Sequence, residues 1–172
     1  MKLYSVLLIL ILGINFSCMT DDVFSYQNDF QNSKEAWLSF KANSNNSYKY
    51  VVSGGTGMSN LSWETTITVQ EGEIVQRHFI YEGDIEGLPE DELEWTENEG
   101  EINTHESYVA APAITMDEVY QKAENEWLVE SSNLTTYFQV DYRGLLSTCG
   151  YVRNGCTDDC FVGIHIKSIV AL

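Results

Sequence analysis

ITMDEVYQKAENEWL, residues 114–128, is the stretch from which the rest of the chain can be read. Met116, Val119, Tyr120, Ala123 and Trp127 recur at helical spacing, so they share one face of an amphipathic helix. Thr115, three residues ahead of Glu118, makes a capping box at its start. Such a helix cannot bury its apolar stripe alone. A second apolar surface must receive it, and the flanking segments supply one.

Downstream, TTYFQVDY (135–142) alternates Phe138, Val140 and Tyr142 against Tyr137, Gln139 and Asp141. FVGIHIKSIV (161–170) alternates Val162, Ile164 and Ile166 against Gly163, His165 and Lys167. Both read as strands, joined by the loop that holds three cysteines. Upstream, NDFQNSKEAWLSFKA (28–42) places Phe30, Trp37 and Phe40 on or near one helix face, with Asp29 or Asn32 as the cap. SYKYVVS (47–53) is a strand. WETTITV (63–69) and EIVQRHFIY (73–81) form a hairpin, with Gly72 where a tight turn needs positive φ. Helix-strand-strand therefore occurs twice. The expected fold is α+β, with two helices packed on one antiparallel sheet of about five strands, built from two helix-strand-strand units.

The pieces EAWLSF, SYKYVVS, ITVQEGEIV, TMDEVYQKAEN, YFQVDYRGLLS and GIHIKSI, spread over residues 34–168, resemble a family of bacterial secreted and lipoprotein domains of unknown function. In that family the last two pieces join as a Tyr-Asp strand, a Gly-containing turn and a second strand. The resemblance implies an α+β fold, an extracytoplasmic address and no catalytic residues. The acidic stretch and the cysteine-rich turn depart from it.

The N-terminus points to the same address. Lys2 followed by the short apolar run Val6–Ile14 reads as a signal peptide over residues 1–17. Asn15-Phe16-Ser17-Cys18 is similar to the bacterial lipobox, although Asn15 stands where Leu is usual and Phe16 is bulkier than the usual Ala or Ser. The resemblance makes Cys18 the lipidated mature N-terminus. The alternative is an ordinary signal peptide cut near Cys18, with Cys18 free or disulfide-bonded and the protein secreted. Residues 18–28 form a flexible tether, and 29–172 a single domain. Several acyl chains on one residue would anchor it stably, at about 0.8 kcal/mol per buried methylene.

Removing residues 1–17 removes one charge, Lys2, and takes the formal charge from −17 to −18. Such a surface repels nucleic acid and anionic headgroups, so no nucleic-acid partner is expected, and the membrane is reached only through the lipid. Asn45, Asn60 and Asn133 head N-x-S/T sequons, which matter only in a eukaryotic host.

Residues 82–106 hold eleven carboxylates and no Lys or Arg. They read as a long solvated loop with one short helix after Pro89. Glu90, Asp91, Glu92 and Glu94, with Asp158 and Asp159 further on, are the candidate oxygen ligands for a hard cation such as calcium, although no EF-hand loop is present.

Cys149, Cys156 and Cys160 stand close together in CGYVRNGCTDDC. With His165 they offer a three-Cys, one-His zinc set. Outside the cytoplasm a disulfide is the expected state, either Cys149–Cys160 bracing the strand bases or Cys149–Cys156 stapling the turn. If Cys18 is acylated, one thiol is left over.

SGGTG (53–57) lacks the Lys-Ser/Thr of a phosphate loop and reads as a turn. Neither G-x-S-x-G nor H-E-x-x-H occurs, and His78, His105 and His165 are scattered. No catalytic residue and no cofactor is assigned. The expected function is that of a cell-envelope, outer-membrane lipoprotein displayed at the surface. It would be a non-enzymatic binding or structural module for an extracellular ligand or protein. A calcium-responsive module and a hydrolase with an unrecognised carboxylate site are the alternatives.

Overall fold

Two helices lie against one face of a seven-stranded antiparallel sheet. The computed structural model describes residues 21–56, 60–157 and 160–172, with side chains from residue 27 onward. In chain order these are helix α1 (Asp21–Asn43), β1 (Tyr48–Gly55), β2 (Ser62–Gln70), β3 (Glu73–Glu82), short helix α2 (Glu90–Leu93) and β4 (Glu94–Asn98). Helix α3 (Met116–Lys122) follows, running on into a π-helical turn Ala123–Trp127. Then come β5 (Leu134–Val140), β6 (Leu146–Arg153) and β7 (Phe161–Ala171). The strands lie in the order β4-β3-β2-β1-β7-β6-β5. Helix α1 is thus followed by four strands and α3 by three, and the first strand of the first group, β1, pairs with the last of the second, β7.

Tyrosines of the central strand fix where α3 sits. The Tyr48 hydroxyl accepts from the backbone N–H of Met116 at 3.0 Å, filling one of the unpaired donors at the helix start. The Tyr50 hydroxyl donates to the carbonyl of Ile114. The capping box forms as its spacing predicts, with Thr115 Oγ1 accepting from Glu118 N and Glu118 Oε2 accepting from Thr115 N. Met116, Val119, Tyr120, Ala123 and Trp127 are all buried.

Trp37 of α1 packs edge-on to Tyr48 with centroids 5.0 Å apart, and stacks on Tyr120 of α3 at 6.2 Å. Its Nε1 donates to Asp117 Oδ1 at 2.9 Å. Tyr120 Oη and Ser33 Oγ meet at 2.8 Å between the two helices. Large aromatic bodies fill the core while each polar tip finds a partner, which is why aromatics of this kind can be buried at low cost. From below, Ile164, Ile166 and Ile169 of β7 complete the core. Their spacing changes from two to three because the β1–β7 register shifts between Val51 and Val52, and the ladder skips Lys167.

Several expectations change. The sheet has seven strands rather than about five. The first addition, β4, arises inside the acidic stretch. The second, β6, contains Cys149 and lies between the two strands thought to flank a single cysteine loop. The Gly-containing turn of DYRGLL does join β5 to β6, with Gly144 at φ 83°. Residues 21–28, read as tether, form the first turns of α1. Gly54 and Gly55 belong to β1, and Gly54 sits under the Trp63 ring, where a Cβ would come within 2.6 Å. On β5 only Phe138 joins the core, while Val140 and Tyr142 are exposed. The hairpin at Glu71-Gly72 has positive φ at both residues, 51° and 95°, the type I′ geometry that suits strand twist. Among the described residues no helix is long and apolar enough to cross a membrane.

Candidate functional site

β4 pairs with β3 so that Phe79 faces Trp95 and Arg77 faces Glu97, all four turned toward the helix side of the sheet. Arg77 and Glu97 are 3% and 4% exposed, and Nη1 lies 3.1 Å from Oε2. A pair this dry survives only when its remaining donors and acceptors are filled. Arg77 Nε donates to the carbonyl of Ala111 at 2.9 Å, and its terminal nitrogens reach the carbonyls of His105 and Ala110 at 3.5 Å. Glu97 accepts from the backbone N–H groups of Asn103 and His105. Burial pushes the Glu97 carboxyl up, but the N–H bonds from His105 and Asn103 and the Arg77 guanidinium outweigh it and hold the group below its usual range.

One ion pair therefore grips both limbs of the segment 99–114. Asn103 closes it by a reciprocal pair of bonds to the backbone of Ala113, at 3.0 and 2.7 Å, and Thr65 Oγ1 accepts from Ala111 N. Trp95 lies between the Phe79 ring, 5.2 Å away, and the His105 ring, 4.2 Å away, with the Arg77 guanidinium 4.8 Å from its centre.

Beside this centre opens a cleft of about 590 Å³. Its walls include Arg77, Asn103, His105, Ser107 and Tyr108, and Glu106 is the one carboxylate among them. Tyr108 stands fully exposed at its edge. The size is that of a small-ligand pocket, and the walls offer aromatic surface with both donors and acceptors.

The carboxylates expected to gather a cation are distributed otherwise. Glu90, Asp91 and Glu92 occupy the first turn of α2, where acidic groups complement the helix start. Glu92 pairs with His105 at 3.2 Å and Glu94 with His78 at 3.0 Å. Among the described residues no three His, Cys, Asp or Glu side chains come together to hold a metal ion. Cys18, Asp158 and Asp159 lie outside the described residues. The stretch 82–106 is not one solvated loop, because its middle is a strand and one of its carboxylates is internal. Sequence reasoning passed over Arg77, Glu97 and Tyr108. The usable signal was Arg77 alternating in phase with Phe79 and Tyr81, and Glu97 in phase with Trp95.

The cysteines also differ from expectation. The bridge joins Cys156 to Cys160, Cα atoms 6.1 Å apart, within the β6–β7 loop. Neither pairing drawn from Cys149 forms. Cys149 is a buried free thiol facing the core, pushed up to about 12 by burial. The zinc set does not assemble, since two members are bridged and His165 is on the opposite sheet face, its ring 4.2 Å from that of Phe161. The Phe161 ring lies against Gly150 of β6, which pairs with Gly163.

Comparison of the chain with protein-family models, with curated proteins and with solved structures finds no match.

Proposed function

We propose that this protein is a lipid-anchored component of the cell envelope, held through Cys18, whose domain is a binding module with the cleft beside Arg77 as its ligand site. The observation that carries the binding reading is that the most buried ion pair among the described residues braces the wall of this cleft. A buried pair contributes little net stability over apolar packing and much positional definition, so its place beside an open cleft points to a shape being held for a ligand. The ligand class that fits is small and polar, carrying a flat face for Tyr108 and hydrogen-bonding groups for Asn103, His105 and Ser107. The extracytoplasmic address is supported by the apolar run Val6–Ile14 ahead of Cys18 and by the Cys156–Cys160 bridge, a bond kept in oxidising compartments.

Two experiments test this. Intact mass of the native protein, with and without reduction, reports acylation and the bridge together. The expected mass begins at Cys18 with acyl chains and gains two hydrogens on reduction. Retention of Met1 with all four thiols free would overturn the address. For the cleft, amide chemical shifts are followed while monosaccharides, amino acids, short peptides and calcium chloride are added in turn. A compound that perturbs residues 103–112, and loses its effect in Tyr108→Ala, establishes the site. A calcium response at Glu90–Glu94 instead would establish the cation-responsive alternative.

A further inference from the structure

The sheet ends in two strands of opposite character. β4, EWTEN, is five residues long, directly follows α2 and carries Glu94 and Glu97. β5, LTTYFQV, is seven residues long and contains no charge and no proline. Natural edge strands are normally blunted by charge, proline, a bulge or a covering element. At the β5–β6 register shift between Gln139 and Val140, the skipped residue is Ser147 of β6, so β5 itself stays regular. Helix α1 reaches its inner face at Phe138, through Phe30 with centroids 5.8 Å apart. Thr135, Thr136, Tyr137, Gln139 and Val140 remain exposed.

Charge decides what such an edge fits. The chain carries 26 acidic and 9 basic residues, so two copies repel over most of their surfaces. Along β5 that repulsion is locally missing. Asp141 at its end is occupied by Arg143, with contacts of 3.0 and 2.7 Å. We propose that β5 pairs antiparallel with β5 of a second copy, joining the two sheets across a two-fold axis at Tyr137. A two-fold axis needs a self-complementary patch, and antiparallel pairing of one strand with itself supplies it. The strand's midpoint is Tyr137, so Tyr137 faces its own copy, Thr135 faces Gln139 and Leu134 faces Val140. The last pairing covers Val140, which is 43% exposed in the single chain. The inference uses neither the cleft nor the lipid anchor.

Single-cysteine cross-linking tests the register in the protein purified from cells. Cys149 is buried and Cys156 is bridged to Cys160, so the unsubstituted protein is the control for any thiol at Cys18. Under mild oxidation Tyr137→Cys is expected to give a reducible dimer. Thr135→Cys and Gln139→Cys should each stay monomeric alone and cross-link when mixed. Thr66→Cys, in the middle of the sheet, should not cross-link. By sedimentation the unsubstituted protein should dimerise, Tyr137→Phe should match it, and Tyr137→Glu should self-associate at least about fivefold more weakly, because like charges directly opposite repel. Circular dichroism shows whether each variant keeps its fold. A monomer at every concentration with no Tyr137→Cys dimer overturns the proposal. Equal cross-linking at all positions, or capture of a different protein by Tyr137→Cys in place of a second copy, also overturns it.

Discussion

Arg77 and Glu97 meet across adjacent strands with 3.1 Å between Nη1 and Oε2, and almost no part of either side chain reaches solvent. Together they bond to the backbone of Asn103, His105, Ala110 and Ala111. The most acidic part of the chain is thereby folded onto a sheet through a charge turned inward.

Arg77→Met would leave the Glu97 carboxylate buried without its countercharge. Removing one partner of a buried pair costs about 3–5 kcal/mol, because the stranded charge keeps its desolvation penalty. The loss is expected in urea unfolding at pH 7, with early protease cutting within 99–112. A loss well under about 1 kcal/mol would show that the segment holds itself without the pair.

Acid should weaken the same centre. The Glu97 carboxyl is held below its usual range in the folded protein, and so is that of Asp141. For Asp141, burial raises the value, but the Arg143 side chain and the backbone N–H groups of Arg143 and Leu145 outweigh it. A depressed carboxyl contributes stability above its unfolded value, near 4.3 for Glu and 3.9 for Asp, and that contribution is lost as pH falls through the folded value. Protonating the other surface carboxylates relieves self-repulsion and acts in the opposite sense. The comparison is therefore made by difference. Melting temperatures of the parent and Glu97→Gln, measured from pH 7 to pH 2.5, should converge below about pH 4. Parallel curves would remove Glu97 from the acid transition.

Cys149 should be silent until the protein opens. Burial pushes its thiol up to about 12, and burial also raises Tyr48 to about 12. An unfolded thiol ionises near 8.5, so its raised folded value contributes stability that is complete below that pH and is lost as pH rises toward 12. Native protein at pH 8 should resist a charged thiol reagent at Cys149, and peptide mapping after denaturation should find it labelled. Rapid labelling of the native state would contradict its place in the core.

The crossing of β6 and β7 tolerates no Cβ. At Gly163 a Cβ would lie 2.1 Å from the carbonyl oxygen of Cys149 and 2.5 Å from Cα of Gly150. At Gly150 it would meet the carbonyl oxygen of Val162 at 2.4 Å and the Phe161 ring at 2.5 Å. Gly163→Ala should cost about 3 kcal/mol or more, since both contacts are backbone atoms that move only with the strand. Gly150→Ala should cost less, since one of its neighbours is a ring that can turn. Equal, small losses in chemical denaturation would mean that the strands separate easily.

What could be read from spacing was read correctly where a segment's neighbours did not matter. The Thr115–Glu118 cap, the apolar stripe of α3 and the positive φ at Gly72 are each settled within a few residues, because the hydrogen bond or torsion involved closes locally. β6 was hidden because Cys149 and Gly150 were read for redox chemistry and turns, although a buried free cysteine packs as a small apolar residue. The Cys156–Cys160 bridge was hidden because pairing depends on where the loop ends lie, and sequence spacing allowed the pairings with Cys149 equally well.

Side-chain periodicity alone is enough to specify an α+β chain of two apolar helices and alternating strands, because it decides which faces must leave water. That Glu97 belongs inside, and that Val140 and Tyr142 stay in water, follows from the packing of the whole sheet and not from any local pattern. Glu97 is stable in the interior only because Arg77, twenty residues earlier in the chain, arrives in register with it on the neighbouring strand, and no local spacing carries that distance.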